Sequence, residues 1–149
     1  MIVVSSCLAG MKVRYNGTDS LDEKITELIE NGRAVAVCPE LLGGFQTPRE
    51  PAEIKGGNGY DVLDGKATVV DKNGINVTEL YLSGAYKTLE IVRQLQANTV
   101  VLKENSPSCG SGQIYNGHFE GVKCNGAGVT TALLRREGIQ VISELELAP

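Results

Sequence analysis

The chain alternates short, continuously apolar runs with stretches whose apolar residues recur every three or four positions. "IVVSS" (Ile2 to Ser6), "RAVAV" (Arg33 to Val37), "TVVLK" (Thr99 to Lys103) and "IQVI" (Ile139 to Ile142) are rich in β-branched residues and do not alternate with polar ones, which predicts strands buried on both faces. "SLDE" (Ser20 to Glu23) fits a capping box; Ile25, Leu28 and Ile29 then make a helical stripe that Gly32 stops. Leu82, Ala85, Leu89, Val92 and Leu95 predict a long helix from about Thr78 to Gln96, and a further helix is expected over about Ala127 to Glu137, ending at Gly138. Strands and helices in alternation predict an α/β fold: one compact domain over residues 1–149, a mainly parallel four-stranded sheet with helices on both faces.

Pro39 to Val77 is long for a plain connection, and such loops tend to carry function. Within it, "YDVLDGKATVV" reads as an inserted β-hairpin turning at Asp64-Gly65. "GGNGYDVLDG" has a loose glycine pattern, but with no strand before it and no helix after it, a phosphate loop is discounted. The two "YNG" echoes, Tyr15 to Gly17 and Tyr115 to Gly117, read as Asn-Gly turns.

Composition narrows the function classes. The 149 residues carry a net charge of −4 and no Trp, with 5% aromatics, which disfavours a polyanion or a base-stacking platform for single strands. The basic pair Arg135-Arg136 falls at a helix end, where the helix dipole accounts for it. No segment is long enough to span a bilayer, and "MIVVSSCLAG" lacks the basic start of an export signal, so a cytoplasmic protein is expected. In that reducing setting the four cysteines read as metal-binding, catalytic or packing residues rather than disulfides.

Their placement is the main chemical signal. Cys7 follows the first predicted strand, Cys38 ends the second, and Cys109 lies six residues past the third. In a parallel sheet these positions share one edge, where α/β folds bind ligands. Taken alone, a cysteine at a strand end is ordinarily a small buried hydrophobe. Three at one edge, two with Gly-rich or Ser-rich flanks, suit a soft metal site whose sulfurs accept backbone N–H bonds. Three thiolates can hold a 4Fe-4S cube and leave one iron open, the mark of a reactive site. Cys124, in the loop before the last helix, reads as a bystander or a fourth ligand; His118, the lone histidine, reads as a solvated side chain.

The blocks "SSCLAGMKVRYNG", "VCPELLGGFQTPREPAEI", "LKENSPSCGSGQIYNG" and "GAGVTTALLRREGI" resemble, in order and from about Val4 to Ile142, a bacterial family once known only as a domain of unknown function, whose characterised members are thiouracil desulfurases (TudS). The resemblance implies a cytosolic enzyme with an oxygen-sensitive 4Fe-4S cluster on Cys7, Cys38 and Cys109. The open iron would take the sulfur of a small thiolated nucleobase, and the C–S bond would break without net redox change, giving uracil and hydrosulfide. Cys124 departs from the family's pattern, which requires no cysteine there. No nucleic-acid or membrane partner is implied, and oligomeric state is not legible.

Within that frame water attacks the thiocarbonyl carbon and needs a general base. Glu40, two residues past Cys38, is the first candidate; its bland reading is a helix or turn cap. Ser106 and Ser108 are candidates to hydrogen-bond the base edge or a cluster sulfide, as is Lys103 if it turns inward, against simple loop solvation. Arg49 is read as binding an anionic intermediate or pairing with Glu50 or Glu53. Two other readings stand beside this one. A structural zinc module on all four cysteines would lack the paired spacing such sites use. A metal-free cysteine nucleophile would have only His118 as its customary activating base.

Overall fold

The four apolar runs pair side by side. The computed structural model describes residues 1–9, 23–46, 49–104 and 106–144. In chain order the elements are β1 (Ile2–Ser5), a 3-10 turn (Ser6–Ala9), α1 (Glu23–Glu30), β2 (Ala34–Val37), α2 (Pro39–Leu42), β3 (Ala52–Lys55), α3 (Gly59–Leu63) and β4 (Thr68–Asp71). There follow α4 (Thr78–Gln94), β5 (Thr99–Leu102), β6 (Gln113–Tyr115), β7 (Lys123–Asn125), α5 (Val129–Arg136) and β8 (Gln140–Ser143).

The main sheet has the order β2-β1-β5-β8, and all its pairings are parallel. Successive side chains along a strand point to opposite faces. Val3, Val100, Leu102 and Val141 therefore join the larger core with Leu89 and Val92 of α4 and Leu133 and Leu134 of α5. Val4 and Val101 point the other way and pack with Ile25 of α1. Both faces are covered, which is why these strands read as unbroken apolar runs. Among the described residues, no helix is long and apolar enough to cross a membrane.

The inserted antiparallel pair is present, but its strands are not those expected. β4 pairs with β3, and the first half of the expected hairpin, from Tyr60, lies in α3. A capping box decides this locally: Asn58 Oδ1 accepts the N–H groups of Tyr60 and Asp61, while Asp61 Oδ2 accepts Asn58 N–H at 2.9 Å. So β3 does precede "GGNGYDVLDG" and a short helix does follow, contrary to the expectation. The N–H groups that open this helix are nonetheless bonded within the protein, Asn58 to Asp61, Tyr60 and Asp61 to Asn58, and Gly59 to Ala127 O, so they do not cradle a phosphate. A second antiparallel pair, β6 with β7, was not foreseen.

Two helix ends also shift. α4 stops at Gln94, with Gln96 in left-handed backbone at φ 54°, and α5 begins at Val129 rather than Ala127. The buried face of α4 includes Tyr81, Ala85, Thr88, Leu89 and Val92, with Leu82 and Leu95 at its half-buried margins. The expected Ser20–Glu23 cap lies outside the described residues apart from Glu23 itself.

Candidate active site

The strand order places the cysteines. β1 connects to β2 on one side, while β5 and β8 lie on the other, so the order reverses between β1 and β5, the position where open α/β sheets bind ligands. Cys7 sits in the turn directly after β1, Cys38 caps α2 directly after β2, and Cys109 lies in the loop after β5. All three line one cavity of about 440 Å³, together with Glu40, Arg49, Tyr81 and Ser106. Cys7 and Cys109 are 8% and 4% exposed, and Cys38 is half-buried.

Close backbone packing sets the position of Cys38 and Glu40. Pro39 opens α2, where its missing N–H costs nothing. α2 then lies directly on α4: a Cβ on Gly84 would stand 2.1 Å from Pro39 O, and one on Gly43 would stand 2.1 Å from Leu80 O. Only glycine allows that approach.

The Cys109 loop is held from several sides. The first amides of α5 have no partner within the helix; Val129 N–H and Thr130 N–H donate instead to the carbonyls of Pro107 and Ser108, at 2.8 and 2.9 Å. Thr131 Oγ1 donates to Cys109 O at 2.9 Å, and Arg135 ties Ser111 O to Val141 O. Glu104, just past β5, accepts the N–H groups of Ser111, Gly112 and Gln113 on Oε1 and the Ser111 hydroxyl on Oε2. The loop is thus a built structure around a thiol.

Glu40 is not a cap. Its Oε2 accepts Arg49 Nε at 3.1 Å, Arg49 Nη2 at 3.0 Å and Tyr81 Oη at 3.0 Å, while Oε1 accepts Ser106 Oγ at 3.4 Å. Arg49 therefore pairs with Glu40 rather than serving only Glu50 or Glu53. Ser106 Oγ also accepts the N–H groups of Ser108 and Cys109, linking Glu40 to the cysteine loop.

Ser108 goes elsewhere. It is 1% exposed, bonded to Thr130 Oγ1 at 2.8 Å and not on the cavity wall; its nearby hydroxyl pulls the Cys109 thiol slightly down against the larger upward effect of burial. Lys103 does line the cavity, with its ammonium 3.3 Å from Glu144 Oε1. His118 is exposed, as expected. Arg135 and Arg136 do more than complement a helix dipole: Arg135 braces the loop, and Arg136 makes two 2.8 Å bonds to Asp64.

Burial pushes the Cys109 thiol well above its ordinary value of 9.0, with further upward pushes from Glu40, Cys38 and Cys7. Burial also raises Cys38, partly offset by the Leu41 N–H. Tyr81 is raised well above 10.0, first by burial and then by Glu40, so it remains a phenol donating to the carboxylate. Burial thus favours the neutral SH form of Cys38 and Cys109, and a positive centre in the cavity would hold them as thiolates. Among the described residues no set of three His, Cys, Asp or Glu is placed to hold a single metal ion. Cys124 is exposed on β7, opposite Ile114, and does not line the cavity. A four-cysteine zinc centre is therefore not what this fold assembles. Three thiols spread around one cavity suit a larger, multi-iron group bound at three corners.

Several cavity residues were not anticipated: Tyr81, Glu104, Glu53, Lys72, Tyr115 and Phe119. Tyr81 was within reach, four residues before Ala85 on the same helix face. The others sit in loops or short edges with no periodicity to expose them.

The sequence model of the family described as 2-thiouracil desulfurase matches residues 2–146. The uncharacterized protein YbbK of Bacillus subtilis (strain 168) is 60% identical over 147 residues, covering 99% of this chain and 97% of that one. Among solved structures, a 4Fe-4S-dependent thiouracil desulfidase TudS (DUF523Vcz) superposes with a TM-score of 0.87 at 47% identity, covering 98% of this chain and 91% of that one.

Proposed function

The chain belongs to the 2-thiouracil desulfurase family, and on that premise we propose that residues 1–149 act as a single desulfurase unit. It takes a small thiolated base such as thiouracil and returns the oxo base and hydrosulfide. The observation that carries this reading is the convergence of Cys7, Cys38 and Cys109, from three separate strand ends, on one cavity beside a fixed carboxylate. These three thiols would hold a 4Fe-4S cluster, which would supply a Lewis-acidic iron to polarise the thiocarbonyl.

The chain's own residues do the proton work. Arg49 and Tyr81 occupy Glu40 Oε2, which orients the carboxylate and leaves Oε1, with one 3.4 Å contact from Ser106, to face the cavity. Oε1 accepts a proton from water as the water oxygen bonds to the thiocarbonyl carbon. As the C–S bond breaks, the second water proton passes to the sulfur, which leaves as hydrosulfide; the oxygen left on carbon becomes the oxo group, and Glu40 returns its proton to solvent. One water is consumed and no electron is gained or lost, so no external oxidant or reductant enters. Ser106 steadies Glu40 and the Cys109 loop together, while Ser108, bonded to Thr130, braces that loop from behind.

The acidic net charge favours a free small heterocycle over a thiolated base within a nucleic acid. The test is hydrosulfide release from 2-thiouracil by anaerobically purified protein. Glu40→Gln should retain the cluster's absorption and lose about 10²–10⁴-fold in turnover, the span general-base catalysis covers. Wild-type turnover in that variant would remove Glu40 from the mechanism.

A further inference from the structure

Glu53 is a carboxylate only 8% exposed that the proton chemistry above does not use. Its Oε1 accepts Gly117 N–H at 2.9 Å and Phe119 N–H at 3.3 Å. This is the turn announced by the second "YNG" echo, and it is pressed onto β3: a Cβ on Gly117 would stand 2.5 Å from Ile54 O. Gly117 has φ +91°, which suits glycine, but Phe119 has φ +52°, a conformation bulky side chains seldom adopt. A strained aromatic held by a buried carboxylate requires a reason, and such strain clusters where ligands bind.

Core packing is not that reason. Among the described residues Phe119 belongs to neither apolar core and is not packed against either, although it is partly buried. It lines the cavity that holds the three cysteines. Of the aromatic rings on that wall, Tyr81 is engaged edge-on with Phe45, and Tyr115 carries the Lys123 ammonium 5.9 Å from its centroid. The ring of Phe119 has no such partner among the described residues.

We propose that Phe119 is a specificity-determining residue whose ring stacks on the flat face of the thiolated heterocycle, held in place for that purpose by Glu53. The inference rests on the desulfurase reading. It makes the cavity selective for planar unsaturated rings over puckered or open-chain thiocarbonyls, because stacking rewards a π-face whatever its substituents.

The experiment measures kcat and KM for 2-thiouracil, the inhibition constant of uracil, and iron content, on the anaerobic cluster-loaded protein. Alanine replacement of a stacking aromatic predicts a rise of about 5- to 100-fold in both KM and the uracil inhibition constant for Phe119→Ala. The loss falls on KM rather than kcat, since stacking is equal in ground and transition states. Phe119→Leu should recover only part of the affinity, whereas Phe119→Tyr should recover nearly all of it. Glu53→Ala should mimic Phe119→Ala, while Glu53→Gln, which keeps an acceptor oxygen, should stay close to wild type. Unchanged KM and uracil inhibition in Phe119→Leu and Phe119→Ala would overturn the proposal. So would a fall in iron content and kcat that Phe119→Tyr does not rescue, which would mark a purely structural ring. A wild-type protein loaded with iron yet inert on 2-thiouracil would instead overturn the desulfurase reading, and this inference with it.

Discussion

Removing the guanidinium of Arg49 should destabilise the protein far more than removing an ordinary surface charge. The Arg49 and Glu40 side chains are 7% and 15% exposed, and two N–H groups of Arg49 reach one carboxylate oxygen at 3.0–3.1 Å. Deleting one partner of a buried pair typically costs about 3–5 kcal/mol, because the other charge is left desolvated. Tyr81 and Ser106 still donate to Glu40 in the variant, which places Arg49→Met near the lower end, about 3 kcal/mol. Glu40→Gln takes the carboxylate from the Arg49 guanidinium in turn and should cost a comparable amount. The double variant leaves neither charge exposed to that penalty, so it should cost about as much as one single change, a coupling of about 2–3 kcal/mol. Urea unfolding of metal-stripped protein reads this directly: at an m-value of about 2 kcal/mol/M, a loss of about 3 kcal/mol lowers the midpoint by about 1.5 M. Single variants within about 0.5 kcal/mol of wild type, or strictly additive costs, would refute the reasoning and leave a solvent-screened pair of the surface kind.

Other outcomes follow from the same structure. Gly84→Ala drives a Cβ into Pro39 O; it should cost about 1–3 kcal/mol as an overpacking change and lower iron incorporation by displacing Cys38, measurable by urea midpoint and iron assay. Asp64 is held below its ordinary value of 3.8 by Arg136, so the stability it contributes is present above 3.8 and is lost as pH falls through the lower folded value. Arg136→Gln should flatten the stability profile in that acid window, and an unchanged profile would refute the coupling. Replacing Cys7, Cys38 or Cys109 singly by Ala should abolish hydrosulfide release, whereas Cys124→Ala, on the exposed β7 strand, should leave it intact; full activity in Cys38→Ala would contradict the assignment.

The strands were legible because burial on both faces leaves no polar residue in Val3-Val4 or Val100-Val101-Leu102 to obscure them. The three site cysteines were legible for a related reason: each lies just beyond such a run, and parallel topology fixes which sheet edge that is. The expected hairpin failed in its first half, from Tyr60, where the Asp64-Gly65 turn signal suggested a strand before it but the reciprocal Asn58–Asp61 bonds start a helix. The site carboxylates were harder still. Glu53 bonds amides 64 and 66 residues away, and the partners of Glu40 are Arg49, Tyr81 and Ser106. Such partnerships are made by tertiary packing and leave no spacing in the chain. Ser106 and Ser108 illustrate the limit: two similar serines two residues apart, one facing Glu40 and the other buried against Thr130.

The central claim is that Cys7, Cys38 and Cys109 together hold a 4Fe-4S cluster at the cavity. Its most direct test is an absorption spectrum with iron and sulfide analysis on protein handled entirely under nitrogen, for wild type and Cys109→Ala. A broad brown charge-transfer band with about four iron and four sulfide per chain in wild type, lost in Cys109→Ala, is the predicted result. A colourless wild-type protein that takes up zinc but no iron after anaerobic reconstitution would contradict it.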